Sequence, residues 1–174
     1  MTVKKLITVP DEILRKNSQP IEKVSNNEKK LIKDLFETMY RHKGIGLAAI
    51  QVGIPKRIIV LDVNQKDDIK KPLCFINPVI KNVSKEKSKY EEGCLSIPNT
   101  FIEIERPKTC IVEYVDIDGT KNQIECDGLL STCIQHEINH LDGKLIIDFL
   151  SKLKKDLIIK KLSKTKQNPD RIIV

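Results

Sequence analysis

The stretch from residue 128 to residue 142 constrains the fold more than any other part of the sequence, because it reads as a helix with little surface left for water. At about 100° per residue, its apolar side chains cover two sides and its polar ones fill only a narrow arc. The apolar residues are Leu129, Cys133, Ile134, Ile138 and Leu141. Gly143 follows the last turn and is typical of a helix end. Such a helix needs cover from the rest of the chain, so we predict that it lies at the centre of the fold.

Two more helices flank this one in the sequence. The stretch Ser25–Lys43 predicts an amphipathic helix that begins with a capping box of Ser25 and Glu28 and ends at Gly44. A third helix is expected to begin near residue 147 and to carry an apolar stripe. That stripe consists of Leu150, Leu153 and Leu157.

From about residue 56 to 126 the pattern changes to short β-branched runs broken by Pro, Asn and Gly. Asp118-Gly119 predicts a hairpin turn between two of these runs. The predicted class is therefore α+β, with mixed or antiparallel β-sheets around the central helix and with an N-terminal and a C-terminal helix. We expect a single catalytic domain over residues 1–174.

The composition excludes several classes of protein. The chain is 40% apolar and 32% charged, which is ordinary for a globular protein. No run approaches the roughly 18 apolar residues that span a bilayer, and MTVKKLITVPDEIL at the start lacks the apolar run of a signal peptide. The five cysteines are odd in number and include no C-x-x-C pair, which argues against a disulfide framework. We expect a cytoplasmic protein that does not contact a membrane.

The segment QHEINHLDG at 135–143 places an H-E-x-x-H motif on the central helix. Residues four apart lie about 6 Å apart on one helix face, so His136 and His140 can reach one cation. Glu137 is rotated by about 100° from them, where it can contact a metal-bound water without being a ligand. Two core histidines satisfied by hydrogen bonds are the alternative, disfavoured because two of the three histidines of the chain fall here. The third, His42, is expected at the surface where the first helix ends.

Two histidines leave a catalytic metal one protein ligand short, and the residues alone leave that ligand open. Cys133 is on the same helix, but roughly 10 Å of helical rise separates it from His140, so a buried packing role is favoured. Asp148 is formally available further along the chain. Cys94, in EEGCLSIP at 91–98, ranks only slightly above Cys133 on this reasoning.

Three motifs together resemble the signatures of the peptide deformylase family, in order and at similar spacing. They are GIGLAAIQVG at 44–53, EEGCLSIP at 91–98 and QHEINHLDG at 135–143. The resemblance covers essentially the whole chain and is far more specific than H-E-x-x-H alone. It implies that Cys94, His136 and His140 bind one divalent metal ion, with a water in the fourth position. Fe²⁺ is the ion it implies, and Zn²⁺, Ni²⁺ or Co²⁺ can occupy the same site.

The resemblance also implies a reaction, the removal of the formyl group from the N-terminal formylmethionine of newly made polypeptides with release of formate. It implies Glu137 as the general acid/base, and the Gln51 side chain and the Leu95 backbone N–H as donors to the oxyanion. Small and apolar residues near the motifs are expected to contact the peptide, although core packing explains several of them equally well. The expected substrate-binding residues are Ile45, Gly46, Glu92, Gly93, Leu129 and Cys133.

One residue departs from the family pattern. Members usually have Asp immediately before the second metal histidine, and this chain has Asn139. Asn139 lies about 60° around the helix from His136, so it is not expected to be a ligand. The change removes a charge from the surroundings of the metal and puts a supporting carboxylate role there in doubt.

The positive charge of the chain is concentrated at its C-terminal end. Of the net charge of +7, residues 151–174 supply +6, from eight Lys and Arg against two Asp. That pattern fits contact with a polyanion such as RNA, and a solubilising Lys-rich helix explains it equally well. With the family's cotranslational role, it predicts that the segment of about 147–174 binds the ribosome. A monomer is expected.

Two other functions stay open on the sequence. H-E-x-x-H alone would also suit a metallopeptidase that cuts internal peptide bonds. A structural metal site or an RNA-binding module built on the basic tail is the alternative that is not an enzyme.

Overall fold

A computed structural model describes residues 2–64 and 70–167 of the chain, with side chains up to residue 164. The helices are α1 (Asn26–Arg41), α2 (Gly128–Leu141) and α3 (Lys152–Gln167). The strands are β1 (Gly46–Ala48), β2 (Ile58–Leu61), β3 (Leu73–Val83), β4 (Lys87–Cys94), β5 (Ile97–Pro107), β6 (Thr109–Val115) and β7 (Lys121–Asp127). Short 3-10 helices span Glu12–Arg15, Ala49–Val52 and Ile146–Phe149. The part of the predicted basic tail beyond residue 167 lies outside the described residues.

The strands form two antiparallel sheets, one of five strands in the order β1-β2-β3-β6-β7 and one hairpin of β4 and β5. Strand β2 shows why a helix lies on each face of the larger sheet. Ile58 and Val60 pack toward α1, whereas Ile59 and Leu61 pack toward α2. Successive side chains of a strand point to opposite faces, so both faces of β2 are buried. The α+β class is confirmed, and α2 is central because it also contacts β5.

The helix predicted over Ser25–Lys43 is confirmed as α1, and its capping box of Ser25 and Glu28 is present. Its end differs in one detail from the expectation. The residue in the left-handed conformation is Lys43, with φ of 55°, and the Gly44 N–H donates to the carbonyl of Met39 at 2.9 Å. Gly44 serves a close contact instead, because a Cβ there would lie 2.8 Å from Leu95 Cδ1.

The prediction for the third helix is wrong in its start and in its apolar stripe. A 3-10 turn occupies Ile146–Phe149, and α3 begins only at Lys152. The extended backbone of Leu150, with φ of −95° and ψ of 161°, ends this turn. The Asp148 carboxylate stabilises the turn, because it binds Arg15 and Lys155 and accepts the Leu145 N–H at 2.8 Å. Leu153 and Leu157 are exposed. The residues that pack inward are Leu150, Ile158, Ile159 and Leu162.

The β-rich middle of the chain is confirmed, with two strands that the sequence did not predict. Strand β1 has the small residues Gly-Leu-Ala, and β4 carries mostly charged and polar side chains, KSKYEEGC. The predicted hairpin turn is confirmed, since Gly119 has a φ of +87° and Asp116 pairs with Thr120 across it. Among the described helices, none combines the length and apolar character needed to cross a bilayer.

Candidate metal centre

The two motif histidines lie on the buried side of α2, one helical turn apart. Ten of the 14 residues of α2 are buried, including His136, Glu137 and His140. The imidazole centroids of His136 and His140 are 5.0 Å apart. The predicted central position of this helix is confirmed, and it brings both rings to one point.

Cys94 completes the cluster from the end of β4. The pairing of β4 with β5 shifts register between Gly93 and Cys94, and this irregularity ends the strand beside α2. Cys94 Sγ lies 3.2 Å from His140 Nε2, and one potential ligand atom from each of the three residues lies within 4.8 Å of the others. Of the other ligands left open by the sequence, Cys133 is buried in α2 outside this cluster, and Asp148 is paired with Arg15 and Lys155.

The two histidines of this triad have pKa values shifted in opposite directions. Burial lowers the pKa of His136, but its bonds to Cys94 and Glu92 outweigh that effect and raise the pKa to about 10. Burial and the neighbouring His136 hold the pKa of His140 well below its ordinary value. One thiol and two imidazoles are a donor set that Zn²⁺, Fe²⁺ and related ions accept.

Glu137 points into the same space as the triad. The side chain is only 5% exposed, and its Oε2 atom has no hydrogen-bond partner among the described residues. Burial raises the pKa of this carboxyl to about 7. A carboxyl with that pKa can both accept and donate a proton near neutral pH.

A hydrogen-bonded chain of buried side chains supports His136 from behind. Glu92 Oε2 lies 2.8 Å from His136 Nδ1, so Nδ1 is occupied and Nε2 is the ring nitrogen that faces Cys94. Arg106 binds both oxygens of Glu92, with Nε–Oε1 at 2.5 Å and Nη2–Oε2 at 2.9 Å. The remaining Arg106 nitrogen, Nη1, donates to Asn139 Oδ1 at 2.8 Å. The uncharged amide of Asn139 is thus an acceptor for Arg106, at the position where family members usually have an Asp carboxylate.

Gln51 lies on the 3-10 helix Ala49–Val52 and is 1% exposed. Its Oε1 accepts the Ala48 N–H at 2.8 Å, which fixes the amide orientation. Its Nε2 then points toward Ser96 Oγ at 3.2 Å and Cys94 Sγ at 3.7 Å. Leu95 directly follows Cys94 in the sequence, and Leu95 and Gln51 both line the same cavity.

The site opens into a cavity of about 590 Å³. All six residues expected to bind substrate line it, as do Gln51, Leu95, Cys94, His136 and Glu137. The carboxylate of Glu92 is committed to Arg106 and His136, so only the backbone of this residue is left for the expected contact with substrate.

The cavity is also lined by residues that the sequence did not assign to the site. These are Leu6, His42, Lys43, Tyr90 and Phe101.

Arg106 is the functional residue that sequence reasoning missed, although a signal was present. Ile102, Ile104 and Arg106 alternate along β5 and are all buried, at 7%, 2% and 5% exposure. A charged residue on the buried face of a strand needs a partner there. Strand alternation could therefore have identified Arg106, although not the identity of its partners.

A buried triad of one thiol and two imidazoles lines an open cavity with Glu137, whose Oε2 has no hydrogen-bond partner among the described residues, and this arrangement defines the chain as a metal-dependent hydrolase. The family model described as polypeptide deformylase matches residues 3–156. The chain belongs to this family, whose members remove the N-formyl group from nascent peptides.

Similar proteins agree over nearly the full length. The peptide deformylase of Pelagibacter ubique is 58% identical over 174 residues, which is 100% of both chains. That of Rhizobium meliloti is 52% identical over 94% of each. The crystal structure of peptide deformylase from Ehrlichia chaffeensis is 42% identical, with a TM-score of 0.91 over 97% of this chain and 99% of that one.

Proposed function

We propose that this protein hydrolyses the formyl group of N-formylmethionyl peptides, with Cys94, His136 and His140 as metal ligands. The observation that carries the proposal is the position of Glu137, which is buried beside the triad in the cavity and whose Oε2 has no hydrogen-bond partner among the described residues. When bound there, a divalent cation supplies Lewis acidity and lowers the pKa of a water. The remaining chemistry falls to the side chains of the chain itself.

Glu137 handles the proton. With a pKa of about 7, its carboxylate accepts a proton from the attacking water as the new C–O bond forms at the formyl carbon. The same carboxyl then donates that proton to the amine nitrogen as the C–N bond breaks. The products are formate and a free N-terminus, and Glu137 returns to its starting state.

Gln51 and Leu95 stabilise the oxyanion in this proposal. The Gln51 amide is held by Ala48, which keeps its Nε2 beside Cys94, and the long contact of 3.7 Å to the thiol is the one that an oxyanion would replace. Preorganised donors of this kind lower the activation barrier, since removing one typically raises it by about 2.7–4 kcal/mol.

The peptide is proposed to bind as an extended strand between two sheet edges. In the described sheets, β1 is the edge strand of the larger sheet and β4 pairs only with β5. Gly46 of β1 and Gly93 of β4 both line the cavity, so their backbones border the same space. An extended peptide can hydrogen-bond to such edges, while an apolar pocket near Leu129 and Cys133 receives the methionine side chain.

The decisive assay measures formate released from a formyl-Met peptide and from the same peptide with an acetyl group. We expect release only from the formylated peptide, and a fall of roughly 10²–10⁴-fold in Glu137→Gln with the metal still bound. Cleavage of an internal bond in the acetylated peptide would instead support a metallopeptidase.

We propose Fe²⁺ as the physiological ion, with Zn²⁺, Ni²⁺ or Co²⁺ able to replace it. Support comes from the mixed thiolate and imidazole donor set, which suits each of these ions. Metal analysis of protein purified without oxygen, paired with its specific activity, tests this. Full activity of a zinc-only preparation with no loss on exposure to air would argue against iron.

We further propose that the protein is a cytoplasmic monomer that binds the ribosome through α3. Support comes from four exposed, positively charged side chains of α3 that are not among the residues lining the cavity. They are Lys152, Lys154, Lys160 and Lys164. Replacing these four by Gln should weaken cosedimentation with ribosomes in low salt and spare turnover of short peptides. A matched control replaces Lys81, Lys85, Lys87 and Lys89, and equal losses in both variants would refute a specific role of α3.

A further inference from the structure

The Arg106 guanidinium is held on several sides inside the protein. It is 5% exposed, its Nε and Nη2 bind the two oxygens of Glu92, and its Nη1 binds Asn139. The ring of Phe149 covers it with a centroid distance of 5.1 Å. A planar guanidinium with five donors is well suited to such a bidentate contact plus one further acceptor.

Asn139 connects this group back to the helix that carries the metal ligands. It directly precedes His140 and follows His136 by three residues, so it lies on the same turn of α2 as both. The chain of contacts runs from Asn139 to Arg106, from Arg106 to Glu92, and from Glu92 to His136 Nδ1. It therefore begins and ends on α2 and passes through β5 and β4.

We propose that Asn139 is a positioning residue: its side-chain oxygen holds Arg106 in the orientation that keeps Glu92 bonded to Nδ1 of His136, and so directs Nε2 of that ring at the metal. This inference rests on the proposed function, because it takes His136 as a ligand. Asn139 acts through two other side chains and contacts neither the reacting atoms nor the ion.

The contacts show why the neutral acceptor matters. Without it, the buried Nη1 of Arg106 loses its Asn139 bond, and a buried donor left unpaired is unfavourable. A guanidinium that turns to find another acceptor for Nη1 leaves its bidentate contact, which loosens Glu92. A carboxylate that no longer fixes the His136 ring allows that ring to rotate away from the ion.

The test uses Asn139→Leu, which is near in size and lacks the acceptor, and Asn139→Ala, which adds no bulk if the first variant folds poorly. Each is loaded with Co²⁺, and the rate of Co²⁺ loss to a chelator and the cobalt absorption bands are measured. We expect loss of Co²⁺ to be faster by roughly 10-fold, since such supporting contacts typically contribute 10–100-fold in metal affinity. The absorption bands should shift with the changed ligand field.

Two further variants make the result specific. Asn139→Asp retains an acceptor oxygen, so its Co²⁺ loss should be closer to the unsubstituted protein than to Asn139→Leu. Asn122→Leu removes an asparagine bond of 2.7 Å to Asp116 at the β6–β7 hairpin and should leave the rate unchanged. Unchanged rates and bands in both Asn139→Leu and Asn139→Ala would overturn the proposal, as would equal effects of Asn122→Leu or of Asn139→Asp. Failure of the unsubstituted protein to bind Co²⁺ at all would instead refute the proposed metal site.

Discussion

Gly46 lies so close to the proposed acid/base that adding one methyl group tests the mechanism directly. A Cβ at this position would lie 2.4 Å from Glu137 Oε1 and 2.9 Å from Leu61 Cδ2. Leu61 is fully buried in the core between β2 and α2. The Glu137 carboxylate borders the cavity, so it is the group that must yield.

The size of the effect follows from the displacement. Ordinary contact would require the carboxylate to move by about 1 Å, and a misplacement of that size in a catalytic group can lower the rate roughly 100-fold, or about 2.7 kcal/mol in the barrier. Crowding against Leu61 should also reduce the free energy of unfolding by about 1–3 kcal/mol.

Steady-state deformylation of a formyl-Met peptide measures this for Gly46→Ala, with Co²⁺ content and thermal unfolding of the same samples. The matched control is Glu137→Gln, alone and combined with Gly46→Ala. If the methyl group acts through Glu137, it should lower the rate much less when Glu137 is already replaced. A rate within a few-fold of the unsubstituted protein, or equal losses in both backgrounds, would refute the reasoning.

Other predictions concern the oxyanion donor, the metal, the α1 cap and the cavity lining. Gln51→Glu keeps the acceptor for Ala48 but loses the donor, so kcat should fall by roughly 10²–10³-fold with little change in KM. Removal of metal by a chelator should abolish formate release and lower the unfolding temperature, and Co²⁺ should restore both. The bonds from Lys56 and Ser25 lower the pKa of Glu28 to about 2. The stabilisation from the Glu28 carboxylate is thus present above about pH 4.5 and lost as pH falls toward 2. In Glu28→Gln, the free energy of unfolding, measured by denaturant titration at several pH values, should change less with pH over that range. Phe101 lines the cavity and is 69% exposed, so we expect it to favour substrate peptides with an apolar residue after the methionine. Phe101→Ala should therefore reduce kcat/KM for such peptides and leave it unchanged for peptides with a polar residue there.

The sequence predicted the central helix because its apolar residues leave little polar surface, and α2 is indeed buried on most sides. The four-residue spacing of His136 and His140 predicted that their side chains lie close together, because residues four apart share one face of a helix. Local periodicity could not identify Cys94 as the third member, because β4 meets α2 only through tertiary packing. The resemblance of the EEGCLSIP motif to the family supplied that residue.

Other features depended on contacts between distant segments. The 3-10 turn before α3 is stabilised by Asp148, whose partner Arg15 lies 133 residues earlier in the chain. Strand β4 has little apolar periodicity, since it is one half of a two-stranded hairpin whose outer side carries exposed pairs such as Lys89–Glu103. Neither arrangement has a signal within a short window of sequence. The single-domain organisation over residues 1–174 stays a prediction.

The two sheet edges that border the cavity have a consequence for which proteins can be substrates. Strand β1 is only three residues long, and both β1 and β4 present backbone groups to the cavity through glycine. Hydrogen bonds to a backbone are the same for every polypeptide, so a chain held this way is selected by its modified first residue and its extended shape. One protein of this design can therefore act on a large fraction of all newly made chains, and a competitor for the site needs an extended amide backbone more than any particular sequence.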